Sequence, residues 1–269
     1  MGRPVDASGV AVALSRPPRR IVSLIPSTTE TLCALGLAEA LVGVTAYCRE
    51  PVDVVRTKTR VGGEKDPDLA AIRGLAPDLV IANIEENRSE DVAALRQWGI
   101  PVWVTYPRTV AEGIAMIREL GDLTGRSERA EALASELTAL YREVTEARRG
   151  RPGLPVFYAI WREPWMTIGQ DTYIHDMLRV CGGANIFGDH AERYPRVTLA
   201  DVAARRPELI LLPDEPFRFR SVHRRDFEAY PEVPAVRVGQ IRLVDGKPFS
   251  WHGPRIAEAL RTLPALFGG

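Results

Sequence analysis

Leu69-Ala-Ala-Ile-Arg-Gly-Leu-Ala-Pro-Asp-Leu-Val-Ile-Ala-Asn-Ile-Glu-Glu-Asn-Arg88 is echoed, without a gap, by Leu199-Ala-Asp-Val-Ala-Ala-Arg-Arg-Pro-Glu-Leu-Ile-Leu-Leu-Pro-Asp-Glu-Pro-Phe-Arg218. Pro77 falls on Pro207, Asp78 on Glu208, Glu85 on Glu215 and Arg88 on Arg218. Each copy reads as a short helix, a proline break, a buried apolar strand and a polar loop. Two such units, separated by a long helical stretch, predict two similar α/β lobes whose loops face each other across a cleft. Chance likeness between two Pro-[Asp/Glu]-Leu junctions is the competing reading, and the constant spacing through the whole unit weighs against it.

The flanking sequence extends the pattern. Ile21–Ile25 is an apolar run closed by Pro26, with Ser27 or Thr28 as N-cap of a helix that stops at Gly36. Leu41–Val44, Leu79–Asn83 and Val102–Thr105 read as further strands, with helices over 66–75 and 89–98 between them. Strands this apolar, alternating with short helices, predict parallel sheets covered on both faces. From Val110 the chain is helical for about forty residues, interrupted at Gly121 to Gly125. Its second segment carries Leu133, Leu137, Leu140, Tyr141 and Val144 at helical spacing. Strand and helix then resume with Val156–Ile160, a helix over 172–180, Leu209–Leu212 and a last helix over 255–266. The predicted organisation is an N-terminal lobe over 1–125, a connecting helix over 126–150 and a C-terminal lobe over 151–269.

Composition narrows the function. Of 269 residues 45% are hydrophobic and 26% charged, and 35 basic residues balance 35 acidic ones. No net field points to nucleic acid or an anionic membrane, and the arginine runs at 142–151 and 218–225 read as solvated faces. No apolar run approaches the ~20 residues of a membrane span. Asp6-Ala-Ser-Gly9 followed by Val-Ala-Val-Ala-Leu14 reads as a turn into an edge strand rather than a secretory segment. The chain as written therefore reads as cytoplasmic; a periplasmic or extracellular protein shorn of its signal peptide would read the same. Three cysteines without CxxC spacing imply no disulfide framework.

Ligands of open α/β sheets lie beyond the carboxyl ends of the strands. That places Glu85-Glu86-Asn87-Arg88 and Asp214-Glu215-Pro216-Phe217 at the predicted crevice. The strand-end aromatics Tyr47, Tyr106, Trp161, Trp165, Phe217, Phe219 and Trp251 offer rigid apolar contact to a planar ligand. The four histidines lack HxH or HxxxH spacing, so no metal site is expected. His252 stands out because it lies in a loop just before the last helix. Cys48 is a strand-end thiol, either a ligating group or a bystander. Ser27 lacks the nucleophile-elbow pattern, and Gly62-Gly63 and Gly182-Gly183 match no nucleotide-binding loop.

Arg20-Ile-Val-Ser-Leu-Ile-Pro-Ser-Thr-Thr-Glu30, Val61-Gly-Gly63, Leu75-Ala-Pro-Asp-Leu-Val80, Cys181-Gly-Gly-Ala-Asn-Ile-Phe187, Pro207-Glu-Leu-Ile210 and Gly253-Pro-Arg-Ile256 span nearly the whole chain. In this order they resemble the helical-backbone solute-binding proteins of ABC importers, with the vitamin B12-binding branch nearest. The resemblance implies two Rossmann-like lobes with parallel sheets, joined by one long backbone helix, and a ligand cleft between them. It implies a monomer that binds a small molecule, a corrinoid or another metal chelate such as haem or a ferric siderophore, with no intrinsic cofactor and no catalysis. The ligand-contacting candidates are Pro26, Ser27, Tyr47, Cys48, Glu85, Glu86, Tyr106, Trp161, Trp165, Glu215, Phe217, Trp251 and His252. Importer-docking members carry a glutamate in the helix before each Pro-[Asp/Glu]-Leu strand, and here Ala70 and Ala200 stand in those places, with Asp68 and Asp201 close by. An intracellular carrier or sensor without an importer is the second expectation, and a tetrapyrrole-handling enzyme using His252 or a glutamate as base the third.

Overall fold

Apolar β-rich runs become strands wherever helices can cover both of their faces. The computed structural model describes residues 4–268. Within them the chain forms two separate sheets in which every neighbouring pair of strands is parallel. Contacts divide the chain into two compact units. One takes the chain up to Pro107 together with Glu112–Glu136 and His252–Pro254, and the other takes Arg108–Ala111, Leu137–Trp251 and the residues from Arg255 onward.

The first unit alternates β1 (Ile21–Ser23), α1 (Pro26–Ala34), β2 (Leu41–Val44), α2 (Val52–Val55), β3 (Thr59–Arg60), α3 (Leu69–Gly74), β4 (Leu79–Asn83), α4 (Ser89–Gln97) and β5 (Val102–Thr105). Its sheet order is β3-β2-β1-β4-β5. Val22, Leu24, Ile72, Val80, Ala82, Leu95 and Val102 form one buried core on this sheet. Two helices follow, α5 (Val110–Thr124) and α6 (Ser127–Arg148).

In the second unit β6 (Leu154–Tyr158), α7 (Tyr173–Cys181), β7 (Gly183–Asn185), α8 (Leu199–Ala204), β8 (Leu209–Pro213), α9 (Pro234–Arg237), β9 (Ile241–Val244), α10 (Lys247–Ser250) and α11 (Ile256–Thr262) follow in turn. The sheet order is β7-β6-β8-β9, over a core that includes Phe157, Phe187, Ile210, Leu212, Phe219 and Phe227.

The sequence echo is a structural repeat. α3 and α8 cover equivalent positions, as do β4 and β8, and each strand lies between the first strand of its sheet and the last. Ala76 and Arg206, equivalent in the echo, both adopt left-handed backbone (φ 44° and 50°) as their helices turn back toward the sheet. The next junction matches too: Asp78 N–H donates to Arg20 O and Glu208 N–H to Pro155 O, each at 2.9 Å.

Several sequence expectations need correction. Val10–Leu14 adds no strand to the sheet; it makes only the isolated bridge Val5↔Ala11. Asp6 explains this, because its carboxylate accepts from the N–H groups of Ser8 and Val10 and closes the chain on itself. The same buried carboxylate holds Arg96 at 2.6 Å and accepts from Val104 N–H, which fastens the loop against β5. Neither Ser27 nor Thr28 caps α1: the N-cap is Ile25, without a side-chain bond, and Pro26 begins the helix with the fixed φ that position favours. Gly121 lies inside α5, its bare Cα facing Ala130, so the helical break comes only after Thr124. The last predicted helix is three pieces, a 3-10 turn, α11 and a second 3-10 turn at Leu263–Phe267.

At 22 residues α6 is about 33 Å long. Its buried positions are Ala130, Ala134 and Leu137, whereas Leu133, Leu140, Tyr141 and Val144 are only half-buried. Two alanines within that stripe let neighbouring backbone come close. Leu137→Ala is therefore expected to destabilise by about 2–5 kcal/mol, and Leu140→Ala by clearly less, in urea denaturation followed by circular dichroism.

Candidate functional site

All thirteen candidate residues lie past the carboxyl ends of strands or in the Trp251–His252 segment before the last helix. In the first unit, β1 runs through Leu24 and Ile25 into Pro26 and Ser27, which are buried at the start of α1. Ser27 Oγ lies 3.3 Å from His252 Nδ1. Gly253, next along the chain, adopts φ 87°, and a Cβ there would collide with Thr31 Oγ1, so glycine is required for both conformation and space. Desolvation pushes His252 down to about 4, which leaves the imidazole neutral near pH 7.

Cys48 is not an available ligating group. It is wholly buried in a small cluster with Val44 and Val55, and its Sγ is 3.2 Å from the hydroxyls of both Thr29 and Thr45. Burial raises its pKa, against the pull of those two hydroxyls, so the reactive thiolate is disfavoured. Tyr47, one residue earlier, is 57% exposed and therefore open to contact. Tyr106, past β5, is half-buried.

After β4 the loop is held by asparagines. Asn83 Oδ1 accepts from Glu85 N–H at 2.8 Å, Asn87 Oδ1 accepts from Asn83 N–H, and Asn87 Nδ2 reaches Glu64 O. Lys65 Nζ donates to the Glu85 carbonyl. Glu86 presents an exposed surface, yet protein crowds its carboxyl enough to strip hydration and raise its pKa; Lys65 opposes that rise and Glu85 adds to it. Asn83 was not among the sequence candidates, and Asn87 was named only as part of the Glu85–Arg88 loop. Their Asx-type spacing, four residues apart around a strand end, was the signal available.

In the second unit the aromatics form a continuous assembly. Trp161 is 43% exposed and meets Phe217 edge-on at 5.5 Å; Phe217 meets Phe219 at 4.8 Å, and Phe219 stacks on Trp165 at 5.6 Å with an 18° tilt. Trp165 also packs on Phe227 and Phe157 and belongs to the core, so it backs the wall formed by Trp161 and Phe217. The 161–166 turn is pinned by Ile160 N–H to Met166 O and Met166 N–H to Trp161 O, with Glu163 in left-handed backbone at φ 64°.

Glu215 is not a solvent-facing carboxylate. It is half-buried, and its Oε1 accepts from Trp251 Nε1 at 2.7 Å and from Ser250 Oγ at 3.0 Å. Desolvation raises its pKa while these two donors oppose the shift. Trp251 is thus held by its edge, and its ring is flanked by the Lys247 ammonium (5.7 Å) and the Arg255 guanidinium (5.1 Å). Glu85 and Glu215 are equivalent in the echo but differ in surroundings, because β8 is followed by a proline and a tryptophan partner and β4 by an asparagine-braced turn.

The description "Periplasmic binding protein" matches residues 21–248, and the chain belongs to that family. The vitamin B12-binding protein of Pectobacterium carotovorum is 27% identical over 248 residues, covering 91% of this chain and 87% of its own. The periplasmic vitamin B12-binding protein of Vibrio cholerae superposes with a TM-score of 0.82 at 25% identity, covering 93% of this chain and 96% of that one. The apo periplasmic haem-binding protein of Roseiflexus sp. RS-1 gives 0.81 at 26% identity, covering 93% and 97%. The fold is α/β, as the sequence implied, and the family is one of substrate-binding proteins rather than enzymes. No helix among the described residues is long and apolar enough to cross a membrane.

His252 offers a direct check on the site's electrostatics. Its folded pKa lies below the ordinary value near 6.5, so the unfolded state takes up the proton first as pH falls. Stability should be unaffected above that value and decline from about pH 6.5 toward 4, by at most about 1.4 kcal/mol per pH unit. His252→Asn should flatten that part of the urea-midpoint profile against pH.

Proposed function

We propose that the protein binds a corrinoid or another bulky metal chelate, such as haem or a ferric siderophore, without chemical conversion. The observation that carries this reading is the exposed Trp161 packed on the half-buried Phe217 at the ends of β6 and β8, braced by Trp165 and Phe219. A broad ring system is held by such a pre-organised apolar surface, in which edge-on packing fixes the exposed Trp161 ring. Relatives named for vitamin B12 and haem support the same ligand class. Within the first unit, His252, neutral and beside Ser27, and Tyr47, exposed past β2, are polar groups available for ligand contact. No resident cofactor is needed for binding, and the metal arrives with the ligand.

A second reading, a carrier or sensor that works without an importer, draws support from α3 and α8. Ala70 and Ala200 are exposed at the second positions of these helices, where importer-docking relatives are expected to carry glutamate. The neighbouring acids are engaged in capping. Asp68 accepts from Ala71 N–H at 2.8 Å, and Asp201 forms a capping box with Thr198 that lowers its own pKa. They are poor substitutes for a free docking carboxylate. The importer-coupled reading implies the periplasm and the carrier reading the cytoplasm, so fractionation of native cells separates them.

Titration with cobalamin, haemin and ferrichrome should quench tryptophan fluorescence saturably for at least one of the three. Trp161→Ala should then weaken that binding by about tenfold, consistent with about 1.4 kcal/mol of aromatic contact. Unchanged fluorescence with all three would end the metal-chelate reading. Co-purification with a B12-type permease should be poor for the natural chain and should rise in the Ala70→Glu, Ala200→Glu double variant; tight docking of the natural chain would remove the carrier reading.

A further inference from the structure

Phe217-Arg-Phe-Arg-Ser-Val-His-Arg-Arg225 holds four arginines and one histidine with no acid among them. Arg218, Arg220, Arg224 and Arg225 are all exposed, and among the described residues none of the four is in an ion pair. The other arginine-rich run behaves differently: Arg149 pairs with Glu146, and Arg148 donates to Gly182 O. Acids next to the 217–225 segment are already engaged. Asp226 and Glu163 both pair with Arg162, and Glu215 is held by Ser250 and Trp251. Glu228 stands just past the end of the segment and is exposed.

The segment is rigidly attached to the aromatic wall. His223 rests against both Phe217 (5.6 Å) and Phe219 (5.7 Å), and its Nδ1 accepts from Arg220 N–H at 3.0 Å. Phe227, at the far end of the 3-10 turn Ser221–Phe227, packs on Trp165 at 5.3 Å. Four exposed arginines are therefore carried on a segment packed against Phe217, the ring that meets the exposed Trp161, and none of the four has an ion-pair partner among the described residues. Such a cluster repels itself until an anion neutralises it. Guanidinium forks match carboxylates in shape as well as in charge.

We propose that residues 218–225 form an anion-recognising subsite that selects ligands whose flat ring carries peripheral carboxylates. This rests on the metal-chelate reading above and narrows it to the acidic members of that class. Val222, though exposed, is the sole large apolar side chain among residues 220–226 outside the aromatic assembly, too little to insert into a bilayer. The strand-end position beside Trp161 favours a small ligand.

The test uses two matched pairs: haemin with its dimethyl ester, and cobyrinic acid with its heptamethyl ester. In tryptophan-quenching titrations at low salt, the free acid of at least one pair should bind about tenfold more tightly than its ester, and the gap should shrink as salt rises. Replacing all four arginines by glutamine should abolish that preference and leave ester binding unchanged; four lysines should restore most of it. Esters binding as well as acids, or a preference that survives the glutamine variant, would overturn this inference while leaving the chelate reading intact. Quenching by neither pair would overturn it together with that reading for these two ring systems. Arginine-dependent sedimentation with phosphatidylglycerol vesicles, with acid and ester bound alike, would make the segment a membrane contact instead.

Discussion

Parallel strands sheathed by helices on both faces have no room along their length for polar side chains that lack partners. β4 and β8 are buried at every position, and β1 and β5 likewise. Chemistry is thereby displaced to the carboxyl ends, where the chain leaves the sheet and backbone groups need new partners. Every candidate residue is either in one of those exits or in the Trp251–His252 segment. Asn83 and Asn87 satisfy the exit from β4, and Asp214, which accepts from Gly246 N–H at 2.9 Å, satisfies the exit from β8.

The two exits have been put to different uses on one plan. Past β4 the carboxylates of Glu85 and Glu86 sit on a turn braced by amides. Past β8 the equivalent glutamate has been drawn inward to hold Trp251 by its indole N–H, and the aromatics that follow have become a wall. Two hydrogen bonds converging on Glu215 Oε1 hold that side chain in place, which suits a residue that grips a ring by its edge. Crowding by protein also keeps the half-buried His252 neutral near pH 7, beside Ser27.

Membership of the binding-protein family and the identity of the residues at the tips of α3 and α8 belong to different levels. The first follows from a fold maintained over nearly the whole chain. The second is decided by single surface positions, Ala70 and Ala200, which the fold tolerates without consequence because both side chains point away from the core.

Much of this was legible in the sequence. The echo, two copies 130 positions apart, located α3, β4, α8 and β8 because helix termination before Pro-[Asp/Glu] and unbroken apolar strands are local signals. The aromatic exits at Trp161 and Phe217 were legible for the same reason. Short or polar edge strands were not: Gly183-Ala-Asn185 and Ile241-Arg-Leu-Val244 carry little or mixed pattern and become strands only because β6 and β8 offer them open edges. Nor could sequence reveal that Cys48 is sealed beneath Thr29 and Thr45, or that Glu215 faces Trp251 across 36 residues. Burial and long-range pairing depend on which surfaces meet in space, and a linear pattern fixes only which surfaces exist.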